Sequence, residues 1–163
     1  MTDPDHVSRL MEQWRTERPD LDVSPMALIG RLHRLADRLR DEVVAVYRRY
    51  DLGEGEFDVL ATLRRQGAPF ELAPGELSRH TMVTTGAISK RLDRLEESGL
   101  VVRRENSRDG RGRIVALTDA GRRVIDDAFA AHMRNEARLV AALSETERDD
   151  LARLLRAWLT RLG

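Results

Sequence analysis

Apolar residues recur every three or four positions through most of the chain, and one stretch only reads as β-like. Between Asp5 and about Arg18, Val7, Leu10, Met11 and Trp14 stand at i, i+3, i+4 and i+7, which predicts a short helix. The segment ERPDLDVSP follows, with Pro19 and Pro25 as breakers. Ser24 is suited to an N-cap and Pro25 to the first turn of the next helix. That helix is expected from about Pro25 to Tyr50. Its stripe is Leu28, Leu32, Leu35, Leu39, Val43, Val46 and Tyr50, widened by Met26, Ile29 and Tyr47. A stripe so wide predicts contact with more than one neighbour.

Gly53 and Gly55 interrupt the pattern. Glu56 to about Gln66 reads as a compact helix with Phe57, Leu60, Ala61 and Leu63 inward. GAPFELAP reads as a turn, and Pro74 opens a third short helix with Leu77 as its core residue. The stretch Thr84–Gly99, TTGAISKRLDRLEESG, reads as one helix, with Thr84 as N-cap and Gly99 left-handed at its end. Ile88, Leu92 and Leu95 point inward. Gly86, Lys90 and Asp93 lie opposite them, with Thr85, Ser89 and Arg94 on the flanks. Arg91 falls beside the apolar stripe and leans back toward the protein body.

The one β-like stretch follows. Leu100–Glu105 and Ile114–Leu117 are expected to pair as antiparallel strands around the polar, Gly-rich tip NSRDGRGR. Thr118 caps a long helix to about Leu143, with Val124, Ala128, Ala131 and Leu139 inward. Ser144 and Glu147 form a capping box, and the last helix carries Leu151, Leu154, Leu155, Trp158 and Leu162. The expected fold is mainly α with a small β-hairpin wing, a winged helix-turn-helix over residues 51–118. Residues 1–24 form an extension helix and linker, and 25–50 and 119–163 form dimerisation helices. The long helices carry more apolar surface than so small a centre covers, which predicts a homodimer.

Composition narrows the function. The 163 residues suffice for a real core, and the absence of Cys excludes disulfides, cysteine nucleophiles and iron–sulfur clusters. No apolar run is long enough to span a membrane, and MTDPDHVSRL has no signal-peptide core, so a cytoplasmic protein is expected. Charge is balanced at 28 basic and 28 acidic residues, so any nucleic-acid binding needs a local patch. One exists: Arg79–Arg113 holds nine basic residues against five acidic ones. A single Lys among the 28 basic residues reflects genome composition more than function.

The candidate DNA-contacting residues are Thr84, Thr85, Gly86, Ser89, Lys90 and Arg94 on the helix, with Arg104, Arg108, Arg111 and Arg113 on the hairpin. Small and hydroxylic residues permit close approach, and cations bind phosphates and base edges. An Arg on a flexible tip suits a narrow minor groove, and Asp109 orients Arg111. No nucleophile–base pair or Gly-rich phosphate loop is recognisable, so enzyme chemistry is not expected and no cofactor is implied. His6, His80 and His132 show no metal-ligand spacing, and His33 reads as a packed or interface histidine.

The chain resembles the MarR family of bacterial transcription regulators over Pro25 to Leu162. The most specific piece is KRLDRLEESGLVVRRENSRDGRGRIVALTDAGR, which joins the recognition helix, the wing with Asp109-x-Arg111, and Leu117-Thr118-x-x-Gly121. The wing departs mildly from two adjacent arginines after Asp109. The N-terminal extension is similar to that of the urate-responsive branch. That resemblance implies a ligand site of Trp14, Asp58, Arg91 and Arg103, in which a small anion such as urate competes for arginines that Asp58 otherwise holds. Related regulators respond to other anions such as trans-aconitate, so an aromatic or tricarboxylic acid is the alternative, as is a regulator without a pocket. The family also implies double-stranded DNA as partner, usually through repression of a neighbouring gene.

Overall fold

The computed structural model describes residues 4–81, 85–105 and 112–163, with backbone alone at 85–87. Among these described residues, seven helices and three strands follow in the order α1 (His6–Glu17), α2 (Met26–Arg48), α3 (Glu54–Arg65), β1 (Glu71–Leu72), α4 (Pro74–His80), α5 (Thr85–Glu97), β2 (Val101–Glu105), β3 (Arg113–Leu117), α6 (Asp119–Val140) and α7 (Glu145–Leu162). The chain divides into two compact units, Met1–Glu42 and Val43–Gly163.

In the first unit, α1 starts at Asp5, whose carboxylate accepts from Ser8 N at 2.8 Å. Val7 and Met11 are buried, whereas Trp14 stands 49% exposed. Val7 rests on Gly30, where a Cβ would come within 3.2 Å of it. Arg31 on α2 reaches back to Asp5 at 2.8 and 2.9 Å. The Ser24 hydroxyl does not cap α2 but is donated to Asp22 Oδ2. Along α2 the expected stripe is largely uncovered, with Leu28, Leu35 and Leu39 exposed and burial confined to Val46 and Tyr47.

The second unit is built around α3. This helix starts two residues earlier than its hydrophobic period suggests, because the Glu56 carboxylate accepts from Gly53 N at 2.6 Å. Phe57, Leu60 and Leu63 are buried as expected, but so are Val59 and Thr62 on the opposite side. Contacts from α4, α5, α6 and β3 pack around it, which is why burial extends beyond one stripe, while Glu54 and Arg65 stay exposed. The segment GAPFELAP is not only a turn. Its Glu71 and Leu72 pair with Ala116 and Val115, giving a three-stranded antiparallel sheet in the order β1-β3-β2. The expected hairpin pairs in register from Val101–Leu117 to Glu105–Arg113.

Where α5 ends, Gly99 adopts φ +68°. Its N–H reaches Glu96 O at 2.9 Å and Leu100 N reaches Leu95 O at 2.8 Å, the paired bonds of a Schellman motif. The Thr118 hydroxyl accepts from Gly121 N at 2.9 Å, capping α6, and donates to Gly99 O at 2.7 Å. Thr118 N also donates to Leu100 O. A Cβ at Gly121 would overlap the Leu100 carbonyl. Gly99, Leu100, Thr118 and Gly121 thus join the start of α6 to the end of α5 and the approach to β2. By contrast α7, although closed by the Ser144–Glu147 capping box, buries no residue within the chain.

Candidate nucleic-acid interface

The α5 helix is amphipathic in the expected sense. Ile88, Leu92 and Leu95 are buried against the core, while Ser89 and Lys90 are exposed. Lys90 has no ion-pair partner among the described residues, so its ammonium is available to a phosphate. Arg94 is held more firmly, with its Nη1 3.2 Å from Glu56 Oε1. Its side chain is still 72% exposed, so the guanidinium keeps a free outer edge. Glu56 therefore has two tasks, capping α3 and tethering α5.

The strand arginines divide by partner. Arg104 is bonded to Glu71 of β1, and Arg113 is exposed opposite Glu105 at the base of the hairpin. Thr84, Arg108, Asp109 and Arg111 lie outside the described residues, as do the side chains of Thr85 and Gly86.

Arg103 lies in a clamp of carboxylates. Its Nη2 is 2.7 Å from Asp93 Oδ1 and 2.5 Å from Glu96 Oε2, and its Nε is 2.8 Å from Glu96 Oε2. The Arg103 backbone N–H adds a bond to Glu96 Oε1 at 3.0 Å. The guanidinium and then the backbone N–H hold the Glu96 carboxyl below the usual carboxylate range, and Glu96 and then Asp93 raise Arg103. Wing root and α5 are fixed to each other here. Hydrophobic period alone did not reveal Glu96 and Asp93 in this role. The signal was available in their i, i+3 spacing on one helix face.

Arg91 runs inward. Its Nε and Cζ cover Gly55 so closely that a Cβ there would overlap them. Its Nη1 is buried without a hydrogen-bond partner among the described residues. Gly55 and Asp58 share a face of α3, so Arg91 follows the side of the helix on which Asp58 stands, partly buried. Behind that face Tyr47 and Phe57 stack at 3.9 Å between ring centroids. Burial, and then the carboxylates of Glu136, Glu54 and Asp58, push the Tyr47 hydroxyl up to about 12. His132 lies 3.5 Å from the Tyr47 hydroxyl through Nδ1 and 3.1 Å from Glu136 through Nε2. Trp14 belongs to the first unit, and the other three ligand candidates to the second.

Among the described residues no helix is long and apolar enough to cross a membrane. A MarR family model matches residues 50–112. The HTH-type transcriptional regulator PecS of Dickeya dadantii is 41% identical over 152 residues, covering 91% of this chain and 90% of that protein. The HTH-type transcriptional repressor Rv2887 of Mycobacterium tuberculosis is 31% identical over 134 residues, covering 82% and 93%. A mutant MarR from E. coli, solved in complex with operator DNA, superposes with a TM-score of 0.71 at 27% identity, covering 85% and 99%. With its helix-turn-helix built around α3, α4 and α5 and its β2–β3 wing, the chain belongs to the MarR family and is a DNA-binding transcriptional regulator, not an enzyme.

Proposed function

We propose that the protein is a homodimeric repressor that leaves its operator when a small planar anion, of the urate type, reaches Arg91. Two copies of α5 would enter successive major grooves about 34 Å apart, so the operator is a pseudo-palindrome. Lys90 and Ser89 face the bases and phosphates, and Arg94, Arg104 and Arg113 flank them. Arg108 and Arg111 at the wing tip reach the minor groove. The bare apolar stripe of α7 supports dimerisation, since Leu151, Leu154, Leu159 and Leu162 are all exposed in one chain. Repression follows the relatives named as repressors.

The observation that carries the ligand reading is the buried Arg91 Nη1, which has no acceptor among the described residues. A buried donor left unmade costs about 1–3 kcal/mol, and an anionic acceptor would recover it. Asp58, on the same face of α3, holds Arg91 in the DNA-competent state. The ligand competes for the guanidinium and repels Asp58. Removing the partner of a buried charge costs on the order of 3–5 kcal/mol, ample to tilt a helix. The anion can shift operator affinity only by its differential affinity for the two states.

The test uses the full chain on an operator duplex, titrated with urate, xanthine, trans-aconitate and salicylate. Trp14 fluorescence is followed in parallel. Urate or xanthine should release the duplex, and Arg91→Lys should blunt that release more than it weakens DNA binding. Release by trans-aconitate alone would transfer the site to a tricarboxylic acid. Indifference of both signals to all four compounds would rule out the sensor.

A further inference from the structure

A second cationic cluster lies within the first unit, on residues that none of the DNA or ligand candidates include. The N-terminal half of α1 and one face of α2 enclose a cleft of about 570 Å³, within the ~300–1,000 Å³ range of small-molecule pockets. Asp5, His6, Arg9, Arg31, Arg34 and Arg38 line it. Its shape follows from local sequence. Gly30 lets Val7 sit against α2, and the Asp5–Arg31 pair fixes the start of α1 beside the second turn of α2. Arg31, Arg34 and Arg38 recur at i, i+3 and i+7, so all three face the same side.

The charges in this cleft do not cancel. Asp5 is its one carboxylate, and it is already committed to Ser8 N and to Arg31. Arg9 donates to a neutral carbonyl, Pro4 O, at 2.7 Å. Arg34 and Arg38 have no hydrogen-bond or ion-pair partner among the described residues. Three guanidiniums therefore gather without a counter-charge around one space. Guanidinium forks pair with phosphate oxygens two at a time, which is the geometry that repays crowding them. Leu35, 47% exposed on the wall, supplies an apolar surface beside the cations.

We infer that this cleft binds a small molecule bearing a polyphosphate chain and a flat apolar part, that is, a nucleoside polyphosphate. Arg34 and Arg38 grip the phosphates, Arg9 closes the end, and Leu35 supports the base. The site is independent of the Arg91 switch, since none of its residues belongs to that set.

The test is calorimetric titration of the full chain with ATP, inorganic tripolyphosphate and adenosine at physiological salt, alongside Arg34→Gln/Arg38→Gln. Both positions are exposed, so the double variant should keep its circular dichroism spectrum. ATP and tripolyphosphate should bind the wild type, ATP the tighter, and adenosine should not bind. The double variant should lose at least tenfold in affinity. Absence of binding, or equal binding by wild type and double variant, would overturn the inference. So would a double variant that binds ATP normally but loses operator affinity, because the cleft would then be a DNA-backbone contact.

Discussion

Gly99 and Gly121 act through different physics. At Gly99 the backbone is left-handed, at φ +68°, with open space around it. Gly99→Ala should therefore cost about 1–2 kcal/mol from backbone strain alone. At Gly121 the obstacle is the Leu100 carbonyl, a backbone atom that cannot turn aside. Gly121→Ala should cost about 2–3 kcal/mol or more. Urea unfolding of the two variants should rank them in that order. Arg103 offers a different test. Arg103→Gln loses the guanidinium bonds to Asp93 and Glu96 and keeps the backbone N–H bond to Glu96, so β2 and α5 are held less firmly. Operator affinity should fall several-fold while the fold persists, which a duplex titration with a thermal melt separates. Any anion that recruits Arg103 has to displace those two carboxylates first.

Among the elements, the helices were legible where period and caps agree. Gly99, Thr118 and the Ser144–Glu147 box all stand where their residue types indicate. Other features depend on distant neighbours. The strand β1 has only two residues, and its partner β3 lies more than forty positions along the chain, so no local pattern announces it. Val59 and Thr62 are buried because α3 is surrounded, a fact that one helix cannot reveal about itself. Ser24 chose Asp22 over the helix because the linker places that carboxylate two residues away. In the candidate site, Arg91 leaning inward was readable from helix phase, but the Glu96–Arg103–Asp93 clamp needs the strand to turn back onto the helix. The α1 helix also has a pH limit. Ser8, first through its backbone N–H, and then Arg31 hold the Asp5 carboxyl down to about 2, against 3.8 in an unfolded chain. Its contribution is complete above pH 3.8 and disappears as pH falls through about 2. Asp5→Asn should remove that part of the acid sensitivity, as read by circular dichroism between pH 2 and 5.

For the whole molecule, a balanced 28 and 28 charges means that DNA attraction comes from one surface rather than from the overall field. The logarithm of the operator affinity should fall linearly with that of salt, by roughly 0.9 per phosphate neutralised. Lys90→Ala and Arg113→Ala should each reduce the slope by about one, and unchanged slopes would exclude both contacts. Self-association is read separately. Leu154→Glu with Leu162→Glu places charge on the uncovered face of α7 and should yield a monomer by sedimentation, with a melting temperature that no longer depends on concentration.

The Thr118 hydroxyl joins the end of one helix to the start of another through a handful of polar bonds. Such a joint behaves as a gear. Because Gly121 leaves no slack against Leu100, a rotation imposed on α6 is handed to α5 without first deforming the apolar interior. A shift of α6 should therefore be felt at the end of α5.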